Sequence, residues 1–303
     1  MITSSNVLAM QFFLLFMMLA GLLCAKLKMI DDHARASLSD LILNVFLPCT
    51  ILSSFFDTDR SLLVSLGAIL LVSLGTVLLS FILSQILYRK AGSERKKVLL
   101  YSTIVSNASF LGNPVIESIY GLGALIYSAV YLIPMRIALW TVGLAVFTSG
   151  KNNLKTVFYH PCLVATYLGL MVMITGFTPP LLVSRLAASL GNCTTPVSLI
   201  VVGSVLGLVE PKKMFNTLAL YFTFIRLILI PLMVMGVLLV FRPDPIISGV
   251  SVILSGTPAP ITASILANKY GADRELASKI IFTSTLLSIV TIPALVWLLQ
   301  MVF

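Results

Sequence analysis

Glu117, Arg136 and Arg226 are the ionisable residues that stand well inside otherwise apolar stretches of this sequence. A charge at the centre of a bilayer costs about 2.5–3.5 kcal/mol even on insertion scales, so each needs a partner. Arg136, in YLIPMRIALW, can neutralise the carboxylate of a bound anion or pair with Glu117. Glu117 can carry a coupling proton or reach the external interface. Arg226, in FTFIRLILIP, reads as a scaffold brace or as a pathway residue. Near these charges the chain collects polar and helix-breaking residues, in SNASFLGNPVIESIYG from Ser106 and in SGTPAP from Ser255. A proline inside a helix removes one N–H and collides with the carbonyl four residues back, and in lipid the freed polar groups must be met by protein or water. The expected breaks are Leu111–Pro114 and Ser255–Pro260. Each would aim the positive N-terminal end of a half-helix at mid-membrane, which suits an anion. The expected substrate contacts are Asn107, Gly112, Asn113 and Pro114 from the first segment, Thr257, Pro258, Ala259, Pro260 and Thr262 from the second, and Arg136.

Other chemistry finds little support. HExxH, GxSxG and intramembrane aspartate pairs, the marks of buried catalysis, do not occur, so an enzyme is not expected. The four cysteines lie singly and the two histidines sit at segment borders, which gives no metal site and no expected cofactor. The remaining open question is a coupling ion, H+ or Na+, with Asn44, Asn192 and Glu117 as candidate ligands or carriers.

The elements that must hold these residues are membrane spans. Hydrophobic residues make up 58% of the 303 and charged ones 10%, against roughly 25% charge in soluble domains. Runs of about 20 apolar residues suffice to cross the hydrocarbon, and breaker residues divide the chain into ten. They fall near 6–25, 37–56, 62–88, 98–120, 122–147, 161–176, 191–209, 216–241, 246–268 and 276–302. FTPPLLVSRLAASLG, ahead of the seventh, reads as an interfacial amphipathic turn. Lys26 is the first basic residue, so the N-terminus lacks the charged start of a cleavable signal and the first helix is expected to stay. Of the 20 Lys and Arg, 15 lie in alternate loops and three, Arg60, Arg185 and Arg242, on the opposite side. That asymmetry predicts a cytoplasmic basic side and both termini outside the cytoplasm. It also ties the net charge of +9 to membrane topology and not to nucleic acid.

Two pairs of breakers share one spacing. NVFLP (Asn44–Pro48) and NCTTP (Asn192–Pro196) both read N-x-x-x-P, and PVIESI at Pro114 matches PITASI at Pro260 at nearly the same separation. This predicts two five-helix repeats, 1–150 and 151–303, which an odd span count makes inverted. Broken helices at matching places in inverted repeats point to a secondary transporter. The expected fold is therefore all-α and polytopic, with ten helices in two inverted five-helix repeats and broken crossing helices 4 and 9.

SNASFLGNPVIESIYG, TPAPITASILANKYGADRELAS, STLLSIVTIPALVWLL, NVFLP and IRLILIP together resemble the auxin efflux carrier family of membrane transport proteins. The resemblance spans the whole chain. It implies a scaffold part and a transport part, with helices 4 and 9 crossing at the substrate site. It also implies a small organic anion, a mono- or dicarboxylate, moved by alternating access. Asn107, Gly112, Pro114 and Pro258 fall on its motif positions, whereas Asn113, Pro260 and Thr262 depart from it. The connection Thr148–His160 is short, as in compact bacterial members of the inner membrane. The alternative reading is a sodium-coupled symporter on the bile-acid symporter plan. Expected partners are the anion, the lipid bilayer and a second copy of the chain as a homodimer.

Overall fold

The computed structural model describes residues 4–56, 62–139, 141, 144–148, 159, 161–207 and 215–303. Among them every regular element is helical. In chain order these are α1 (Ser4–Lys26), α2 (Asp32–Ser54), α3 (Leu63–Leu87), α4 (Ser93–Ile104), α5 (Asn113–Tyr120), α6 (Leu125–Ala138) and α7 (Leu144–Thr148). They continue as α8 (Pro161–Thr175), α9 (Leu181–Gly191), α10 (Thr194–Gly207), α11 (Thr217–Phe241), α12 (Pro245–Ser255), α13 (Thr262–Lys269) and α14 (Arg274–Val302). Arg60, Lys151, Lys155, Lys212 and Lys213 of the charge pattern, and most of Thr148–His160, lie outside the described residues.

Five described stretches are long and apolar enough to cross a membrane: Asp32–Ser54, Val64–Leu87, Leu181–Ser204, Thr217–Phe241 and Arg274–Val302. Shorter apolar helices are Leu15–Lys26, Leu122–Ala138, Pro161–Thr175 and Pro245–Ser255. The segment before Asn192 is not a separate interfacial turn: α9 runs through a two-residue turn at Asn192–Cys193 into α10, giving one apolar rod.

Three helices widen where a proline follows. The π turns are Ile42–Phe46 before Pro48, Ala108–Gly112 before Pro114, and Ile225–Leu229 before Pro231. In each case the carbonyl four residues ahead of the proline, which its ring would strike, lies inside the widened turn. The chain therefore stays helical at Pro114. The expected break at Leu111–Pro114 is displaced: the helix ends at Ile104, Val105 is extended (φ −102°, ψ 139°), and helical geometry resumes at Ala108. The second break falls as expected, with α12 ending at Ser255 and α13 starting at Thr262.

The chain divides into two compact units. The first comprises Met1–Gly67, Phe110–Val130 and Phe158–Leu208. In it α1 and α10 meet backbone to backbone: a Cβ on Gly21 would lie 2.1 Å from the Ile200 oxygen, and one on Gly203 would lie 1.8 Å from the Met18 oxygen. Small residues that let helices approach this closely replace the hydrophobic drive missing in lipid. Also in this unit, α8 and α9 pack on the C-terminal half of α2, where the buried Thr50 hydroxyl lies 2.9 Å from the Gly191 carbonyl and 2.7 Å from Thr194 Oγ1.

The second unit comprises Ala68–Ser109, Tyr131–Val157 and Val209–Phe303. Within it α14 packs against α11, α12 and α13, and α13 also touches α4. Asp273 caps α14 by accepting from the Leu276 N–H at 2.9 Å, and Asp244 caps α12 by accepting from the Ile246 N–H at 2.8 Å.

Candidate functional site

The two breaks meet inside the second unit. The Asn107 N–H donates to the Pro258 carbonyl at 2.9 Å. Beside it, the Thr257 hydroxyl has two acceptors at 2.8 Å, Ser106 Oγ and the Leu254 carbonyl. The Ala259 N–H donates to Ser284 Oγ of α14 at 3.1 Å. Proline chemistry makes the second break: Pro258 and Pro260 each lack an N–H, so the α12 ladder cannot continue through them. A freed backbone group at this depth survives only if protein meets it, and here each break supplies partners for the other.

The basic residues of this unit differ in their partners. Arg226, 2% exposed, donates from Nε to the Thr257 carbonyl and from Nη1 to the Thr103 carbonyl, both at 3.1 Å. Arg136, 6% exposed at the end of α6, has Nη1 and Nη2 buried with no hydrogen-bond partner among the described residues. An unmet buried polar group costs about 1–3 kcal/mol, more when charged.

Of the expected substrate contacts, Asn107, Thr257, Pro258, Ala259, Pro260, Thr262 and Arg136 lie in the second unit. Thr257 is fully buried and engaged with Ser106, and Thr262 shares a 2.7 Å hydrogen bond with Tyr101. The Asn107 main chain is engaged with Pro258, and the residue is 5% exposed. Gly112, Asn113 and Pro114 belong to the first unit, all buried, where the Asn113 carboxamide oxygen accepts from Ser128 Oγ. Glu117, half-buried, accepts from Thr195 Oγ1 at 2.5 Å, at the first turn of α10. Asn44 and Asn192 are exposed in that same unit. Arg226 was visible from the sequence as an intramembrane charge, yet nothing in its neighbourhood signalled that its acceptors would be carbonyls of α4 and of the α12–α13 break.

Helices of membrane-crossing length, with two interrupted ones bonded at their breaks, are a feature of membrane transporters. The comparisons agree. The membrane transport protein family model matches residues 7–157 and 149–297, and the chain belongs to that family. It is 25% identical over 285 residues, 92% of this chain and 94% of the relative, to an "Uncharacterized transporter" of Methanothermobacter thermautotrophicus. It is 30% identical over 147 residues, 48% of this chain and 46% of the relative, to a "Putative malonate transporter" of Rhizobium meliloti. The protein is a multi-pass membrane transporter.

Proposed function

We propose that the protein is a secondary carrier for a small organic anion, a mono- or dicarboxylate, that works by alternating access across the cytoplasmic membrane. The observation that carries this reading is the presence, in one unit, of the bonded breaks at Asn107 and Pro258 and of Arg136, whose buried Nη1 and Nη2 have no hydrogen-bond partner among the described residues. A carboxylate offers two oxygens in the geometry that the two terminal nitrogens of an arginine match. The carboxamide of Asn107 supplies a further donor on the break itself. A relative named for malonate supports the dicarboxylate class. Ten spans in two inverted repeats, with both termini outside, remain the topology that fits alternating access and the asymmetric distribution of basic residues.

The test is a thermal-shift screen of the purified protein against malonate, succinate, acetate and their neutral amides, with sodium or choline as the only monovalent cation. Stabilisation by carboxylates and not by amides supports the reading. Equal response to acids and amides sinks it, and a response that needs sodium moves it to the sodium-coupled symporter class.

A further inference from the structure

We propose that Arg226 is the positioning residue that makes the crossing selective for anions, acting through backbone carbonyls and without touching the substrate. The inference rests on the carrier reading above. Arg226 stands in the π turn Ile225–Leu229 of α11, and none of the ion pairs among the described residues involves it. Its two bonds go to Thr103, in the last turn of α4, and to Thr257, two residues past the end of α12. The last four carbonyls of a helix have no intrahelical donor, and they carry the negative end of its dipole. The crossing thus joins two negative helix ends to the positive starts of the following segments. An uncorrected crossing would attract cations at its carbonyl side as strongly as anions at its amide side. Arg226 places one fixed positive charge on the carbonyl side of both helices. It also borders, with Thr76, Ser80, Tyr131, Met135 and Ser255, a cavity of about 10 Å³, room for a single water and too small for a carboxylate. In this conformation the space beside Arg226 holds no carboxylate, which leaves direct contact with the substrate to Arg136 of the same unit.

The experiment compares wild type, Arg226→Met and Arg226→Lys in proteoliposomes, reading KM and maximal rate for malonate and for malonamide. Wild type is expected to prefer malonate. Arg226→Met is expected to lose most of that preference, at least tenfold in the KM ratio, while Arg226→Lys restores it because charge and not planarity sets the sign. A folded Arg226→Met with an unchanged KM ratio overturns the inference and leaves the carrier reading standing. If Arg226→Met does not fold, Arg226→Gln takes its place: a folded glutamine variant that keeps the preference overturns the inference, and one that loses it supports it. A wild type indifferent to both compounds removes the carrier reading, and this inference with it.

Discussion

Asn107 and Pro258 are joined main chain to main chain, the N–H of one on the carbonyl of the other at 2.9 Å. Each residue lies where its own helix has stopped, so each lends the other the bond that its helix cannot supply. The breaks are thus held by one another, and substitutions there act on both helices together.

Pro258→Ala is expected to lower stability by about 0.4–1 kcal/mol, by freeing the unfolded chain, and to slow uptake more than that loss accounts for. The alanine carbonyl can still accept from Asn107, but an alanine N–H lets α12 extend. Pro114→Ala should slow uptake less, because Pro114 follows a widened turn inside a continuous helix. Uptake into proteoliposomes at matched protein incorporation measures both, and equal, wild-type rates would remove the role given to the breaks.

Arg136→Gln should raise the thermal midpoint of the ligand-free protein, by the equivalent of about 1–3 kcal/mol, because a buried cation with two unmet nitrogens is replaced by a neutral group. The same change should abolish stabilisation by carboxylates. A lower midpoint with the carboxylate response intact would show that the guanidinium serves the fold.

Thr257→Val keeps the shape and removes the hydroxyl that lies against Ser106 and Leu254. A loss of about 1 kcal/mol is expected, read as a lower thermal midpoint with the carboxylate preference preserved. A selective loss of substrate response at unchanged stability would make Thr257 a direct substrate contact.

Gly203→Ala would drive a methyl into the Met18 carbonyl and push α1 from α10, at a cost of about 1–3 kcal/mol or more. Gly75→Ala, where an added Cβ meets nothing within 4 Å, is the control and should stay within about 1 kcal/mol of wild type. Size-exclusion profiles after heating separate the two.

Much of the architecture could be read from residue types alone. Apolar runs marked the membrane, and the motifs around Pro114 and Pro258 identified the family. The break at Ser255–Pro260 was legible because two prolines two residues apart leave no way to continue a helix. The first break was misplaced because a single proline is ambiguous: a π turn absorbed Pro114, and the ladder failed instead at Val105–Asn107, a stretch with no proline. Thr257 and Thr262 read as substrate donors because they flank the second break. That they also bond Ser106 and Tyr101 depends on tertiary packing that no local pattern encodes.

Because Arg226 reaches positions 103 and 257 through main-chain oxygens, drift in the side chains at those two sites cannot delete its acceptors. Every amino acid presents the same oxygen. Losing the guanidinium at 226 would strand both carbonyls at once, whereas changing either threonine side chain leaves these two bonds in place.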